Sequence, residues 1–81
     1  MELQRIFGKN IKYYRFQKKL TQQELAEKAD LSVNYISQLE NGQHSADFGV
    51  IERLSKILGI EPFQLFLAPK DVDFPRRIDM V

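Results

Sequence analysis

The chain has 81 residues, of which 43% are hydrophobic, so there is room for one domain with a small core. It contains no cysteine, which excludes disulfides, thiol nucleophiles and cysteine–zinc sites and fits a reducing cytoplasm. No apolar run approaches the roughly 20 residues of a membrane span, and no signal-peptide pattern opens the chain. We therefore expect a cytoplasmic protein with no membrane partner.

The net charge of +1 conceals an uneven distribution. Residues 1–20 contain six basic residues and one acidic residue, which gives +5, whereas residues 21–46 give −3 and residues 47–69 give −1. A basic segment on a nearly neutral protein fits DNA contact along one face. It fits a solvated face of a first helix equally well, so charge alone leaves both interpretations open.

Apolar residues recur at helical spacing along most of the chain, and no segment before residue 69 alternates as a strand does. In the first helix Leu3, Phe7 and Ile11 share one face. Pro62 suits the first turn of a short last helix, which Pro69 ends. This pattern predicts an all-α fold, a compact five-helix bundle followed by a short irregular C-terminal tail. The helices are expected at about residues 3–18, 22–29, 33–41, 47–58 and 61–67.

The second and third helices carry clear start and stop signals. Thr21 is a good N-cap, and Glu24 three residues later completes a capping box. Ser32 is an N-cap for the third helix, and Gly42 stands where a left-handed residue ends it. Two capped helices joined over about three residues form a helix-turn-helix unit, whose second helix enters the DNA major groove.

This stretch resembles the Cro/repressor-type helix-turn-helix family, also called the XRE family, which has a lambda-repressor-like fold. The resemblance covers about 60 residues and implies a sequence-specific DNA-binding transcriptional regulator. It assigns residues 1–68 to the DNA-binding domain and leaves residues 69–81 as a tail without a family pattern. The matching residues are Thr21-Gln22-x-Glu24-Leu25-Ala26, Ala29, Ser32, Tyr35-Ile36-Ser37, Leu39-Glu40-Asn41-Gly42, Phe7-Gly8-Lys9-Asn10-Ile11, Arg15, Leu58-Gly59-Ile60 and Pro62-Phe63-Gln64-Leu65-Phe66.

The first half of the third helix is expected to face base edges. Asn34 and Gln38 can each bind adenine with two hydrogen bonds, Val33 can touch a thymine methyl, and Ser37 can reach a base or a phosphate. The alternative for Asn34 and Gln38 is an ordinary polar surface. No arginine is present on this helix, so it offers no strong guanine contact.

Phosphate contacts are expected around the same unit. Gln22 stands at the first turn of the second helix, where free backbone N–H groups attract a phosphate. Tyr35 either presents its hydroxyl to a phosphate or flanks the core. Further candidates are Asn41, Gln43, Lys9, Lys18 and Lys19.

The resemblance also assigns a structural role to Arg15. In this family the matching arginine pairs with the glutamate of Leu-Glu-Asn-Gly, here Glu40, and so ties the first helix to the third. An enzyme is not expected, because the chain has no nucleophile with a base, no metal cluster and no phosphate loop. His44, the only histidine, lies in a turn without such partners. No catalytic residue, metal or cofactor is predicted.

The expected partner is double-stranded DNA, bound by a homodimer on a palindromic operator, since one such unit reads too few base pairs for specific binding. The alternative is a protein-interaction module, such as an antitoxin or a regulator that binds a partner protein. The tail either packs over the helices, reaches a second subunit or is disordered. The dimer candidates are Phe63, Phe66, Leu67 and Phe74.

Overall fold

The computed structural model describes residues 2–68. Within this part the chain is all-helical, as expected, but the fifth helix is a 3-10 helix rather than an α-helix. It has only five residues and begins at a proline, and the 3-10 form is used mainly in such short pieces. The predicted tail lies outside the described residues, and so does Pro69, which is predicted to end the fifth helix. The elements are α1 (Glu2–Gln17), α2 (Gln22–Ala29), α3 (Val33–Glu40), α4 (Phe48–Leu58) and the 3-10 helix (Pro62–Phe66).

The predicted N-caps are confirmed. The Thr21 hydroxyl accepts from the Glu24 N–H at 3.0 Å, and the Glu24 carboxylate accepts from the Thr21 N–H at 2.8 Å, which completes the capping box. The Ser32 hydroxyl accepts from the Tyr35 N–H at 3.0 Å, and Asp47 caps α4 through the Val50 N–H at 2.9 Å. Local side chains therefore fix where α2, α3 and α4 begin.

Left-handed residues end the helices. Gly42, at φ +73°, closes α3, and the N–H of Gln43 then donates to the carbonyl of Gln38 at 2.9 Å. The same backbone conformation follows α1 at Lys19 and α2 at Asp30, two residues with side chains. Both turns are short, so α1, α2 and α3 follow one another closely around the core.

One core holds the helices together. Six large side chains are almost completely buried, and they come from every helix. Gly8 lets α1 approach α3 closely, because a Cβ there would collide with the carbonyl oxygens of Leu39 and Glu40. The packing leaves one side of α3 outside the core. The six buried side chains are Ile11, Leu25, Ile36, Leu39, Leu54 and Leu65.

Asn10 fixes the 3-10 helix to α1. Its buried side-chain amide donates to the carbonyl of Leu65 at 2.8 Å and to that of Leu67 at 3.0 Å. Phe7 of α1 stacks on Phe66, with ring centroids 5.3 Å apart. These contacts hold the end of the described chain against α1. Across residues 2–68 no helix is long and apolar enough to cross a membrane.

Candidate nucleic-acid interface

The outer side of α3 carries the four residues predicted to contact bases. Val33 and Asn34 are exposed, and Ser37 and Gln38 are partly exposed. Ile36, Leu39 and Glu40 on the same helix are buried. Because the only charged residue of α3 is buried, the exposed side of this helix is polar and uncharged. Such a surface offers hydrogen bonds to base edges without repelling phosphates.

Arg15 and Glu40 form a buried ion pair, as the resemblance implies. The Arg15 Nε donates to Glu40 Oε2 at 2.7 Å and its Nη2 donates to Oε1 at 3.0 Å, with side chains 8% and 2% exposed. The remaining Nη1 donates to the Leu20 carbonyl at 2.9 Å. The pair joins α1, the turn after it and α3.

Gln22 is the third member of this network, which the sequence reasoning missed. Its Nε2 donates to Glu40 Oε1 at 2.9 Å, so the first residue of α2 is tied to the end of α3. A primary amide has two N–H donors, and this bond uses one of them. A phosphate contact by Gln22, as the sequence predicts, would have to use the other donor or the backbone N–H.

Tyr35 joins α3 to the loop that follows it. Its hydroxyl donates to the Ser45 carbonyl at 3.2 Å, and its ring makes an edge contact with His44 at 5.8 Å between centroids. Burial, with a smaller contribution from the negative charge of Asp47, raises the pKa of the Tyr35 phenol. The hydroxyl proton that a phosphate would need is already donated, which favours the structural interpretation of this residue.

The candidate phosphate contacts lie in different surroundings. Lys19 is exposed in the turn between α1 and α2, and Asn41 and Gln43 are exposed just after α3. Lys9 is partly buried on α1. Lys18 is also exposed, and its ammonium extends toward the end of α4, 3.4 Å from the position a Cβ on Gly59 would take. The free carbonyls at a helix end favour a cation there.

The described residues show no sign of a metal site. Among residues 2–68, no group of three or more histidine, aspartate or glutamate side chains is placed to hold a metal ion. His44 contacts Tyr35 and lies in the exposed loop after α3.

Comparison with known sequences identifies the family. The family model described as helix-turn-helix matches residues 11–65, more than half of the chain. The control protein C.BamHI of Bacillus amyloliquefaciens is 36% identical over 61 residues, which cover 74% of this chain and 75% of that protein. The immunity repressor protein of Bacillus phage phi105 is 39% identical over 54 residues, which cover 67% of this chain but only 38% of the repressor.

Comparison with solved structures gives the same result. The restriction-modification controller protein C.AhdI of Aeromonas hydrophila superimposes with a TM-score of 0.77 at 32% identity, covering 82% of this chain and all of that one. The hypothetical transcription factor NHTF from Neisseria superimposes with a TM-score of 0.79 at 26% identity, covering 98% of this chain and 85% of that one. The chain belongs to the helix-turn-helix family and is a DNA-binding transcriptional regulator.

Proposed function

We propose that the chain recognises a specific palindromic operator as a homodimer, in the cytoplasm where such DNA is found. The observation that carries this proposal is the exposed side of α3, which is polar and uncharged because Glu40 is turned into the core. That surface is held at fixed geometry by two capped helices and by the Arg15–Glu40 pair. A rigid helix presenting amides is suited to reading base edges.

The chemistry of α3 favours A·T-rich half-sites. The amides of Asn34 and Gln38 match the donor and acceptor of adenine in the major groove, and the exposed Val33 can pack on a thymine methyl. Ser37 can donate to either a base or a phosphate. Since α3 carries no arginine or lysine, guanine recognition from this helix is weak.

Contacts to phosphates would position α3 on the duplex. The first turn of α2 offers free N–H groups and the second donor of Gln22, beside the exposed Lys19. Asn41 and Gln43 are exposed after the other end of α3, where they would meet the opposite strand. Lys9 is a further candidate. The salt dependence of DNA affinity follows the number of phosphates that lysine and arginine neutralise, so Lys19 and Lys9 are the candidates that would set it.

A homodimer is supported by unpaired apolar surface at the 3-10 helix. Phe63 is 62% exposed and Leu67 is 52% exposed, while Phe66 beside them is partly buried. A two-fold contact there would place both copies of α3 on one side, to meet major grooves roughly 34 Å apart. Phe74, the fourth dimer candidate, lies outside the described residues.

The alternative function is a protein-interaction module of the same fold, with an antitoxin as one example. The names of two relatives, a control protein and an immunity repressor, favour gene regulation instead. Selection of bound duplexes from a random DNA pool separates the two. A palindromic A·T-rich consensus is expected, and the absence of any enriched sequence would favour the interaction module.

A further inference from the structure

An apolar groove is lined by no residue of α3. It encloses about 370 Å³ between the start of α1, the loop before α4, the start of α4 and the 3-10 helix. Phe48 on its rim is 87% exposed and Leu3 is 51% exposed. Large apolar side chains left in water on one concave surface indicate a binding site. The apolar side chains that line it are Leu3, Phe7, Ala46, Phe48, Ile51 and Phe66.

The described chain ends at the rim of this groove. Phe66 forms part of its wall, and the Asn10 amide holds the Leu67 carbonyl at 3.0 Å, one residue before the last described residue. Residue 69 therefore follows directly on a part of the chain that lies beside the groove and is held to α1. The 13 residues that follow can span up to about 43 Å when extended, more than the groove requires.

The sequence of residues 69–81 suits an apolar groove. Val72 and Phe74 lie two positions apart, so in an extended segment they point to the same side, while Asp71 and Asp73 point to the other. Pro75 follows and has no N–H that would need a partner. One side of this segment can thus enter the groove while its carboxylates stay in water.

We propose that residues 69–81 bind in this groove of their own chain, with Phe74 as the anchor beside Phe48 and Leu3. Phe74 is then not part of the dimer contact, which is left to the exposed Phe63 and Leu67. A tether of only a few residues gives an effective concentration of about millimolar, which outcompetes a second copy at micromolar concentration. The groove wall includes Ser45 and Ala46, and Tyr35 of α3 bonds to the Ser45 carbonyl. The bound tail therefore supports the loop that follows α3. This inference does not depend on DNA binding.

Methyl NMR of the full-length protein without DNA tests the proposal. The Phe74→Ser variant should shift the methyl signals of Leu3, Ala46 and Ile51, because the ring that faces them is lost. The matched variant Arg76→Ser, which changes a polar tail residue, should leave them in place. Far-UV circular dichroism should show the same helix content in both variants. Groove signals that stay unchanged in Phe74→Ser would overturn the proposal.

A mixing experiment distinguishes the chain's own tail from that of a second copy. Isotope-labelled Phe74→Ser protein is mixed with an excess of unlabelled parent at micromolar concentration. If each tail binds its own groove, the labelled groove signals keep their shifted positions. Return of those signals to the parent positions would show that the tail comes from a second copy, and would also overturn the proposal.

Discussion

Gln22, the first residue of α2, donates a hydrogen bond of 2.9 Å to Glu40, the last residue of α3. The same carboxylate accepts two bonds from Arg15 of α1. One buried group thus links three helices, including both helices of the helix-turn-helix unit. The angle between the helix that is expected to meet phosphate and the helix that is expected to read bases depends on this carboxylate.

Removing the carboxylate should destabilise the fold strongly. Glu40→Ala leaves the Arg15 guanidinium buried without its partner, and we expect a loss of about 3 kcal/mol in the free energy of unfolding. The double variant Arg15→Met/Glu40→Ala should recover part of this loss, because no unpaired charge remains. Urea denaturation measures both. Equal stability of Glu40→Ala and the parent would show that the pair contributes little.

Gln22→Ala should weaken binding to all DNA sequences by a similar factor. The change removes one charge-assisted bond to Glu40, worth about 1–2 kcal/mol of stability, and one candidate phosphate donor. Sequence preference should stay the same, since the outward-facing residues of α3 are unchanged and Arg15 still holds Glu40 through two hydrogen bonds. Gln23→Ala, an exposed amide on the same helix, is the matched control. A changed base preference in Gln22→Ala would place this residue at the bases instead.

Two neighbouring lysines should differ in their effect on salt dependence. Lys19 is exposed beside the start of α2, so Lys19→Ala should reduce the slope of log affinity against log salt by about 1 per subunit. Lys18 extends toward Gly59 at the end of α4, so Lys18→Ala should change the slope less. Binding titrations at several salt concentrations compare them. If Lys18→Ala reduces this slope more than Lys19→Ala does, Lys18 and not Lys19 is the residue that contacts phosphate.

Stability should fall at alkaline pH in a way that depends on Tyr35. Its pKa is raised in the folded protein, mainly by burial, so the neutral phenol is favoured. The stabilisation is fully present below the unfolded pKa of about 10 and is lost as pH rises through the higher folded value. Tyr35→Phe should lack this component and should lose about 1 kcal/mol near neutral pH with the bond to Ser45. Denaturation at pH 7 to 11 measures both effects. If the free energy of unfolding depends on pH in the same way in Tyr35→Phe and the parent, ionisation of Tyr35 does not contribute to the alkaline loss of stability.

Local chemistry made much of the fold predictable. The hydroxyls of Thr21 and Ser32 and the conformational freedom of Gly42 act within a few residues, so their effects can be derived from spacing alone. The partner of Gln22 lies 18 residues away, and the close approach at Gly8 depends on how α1 crosses α3. These contacts follow from tertiary packing, which a single sequence does not specify. For the same reason, the sequence does not predict that Lys18 extends toward Gly59 at the end of α4.

The central claim is that Asn34 and Gln38 on α3 read the bases of a palindromic site. Selection from a random DNA pool by the parent, Asn34→Ala, Gln38→Ala and the control Gln23→Ala tests it most directly. The parent and the control should select the same palindrome. Each α3 variant should lose about 1–3 kcal/mol on that site and relax preference at its own positions, symmetrically in both halves. If both α3 variants select the parent consensus with undiminished preference at every position, α3 does not read the operator through these amides.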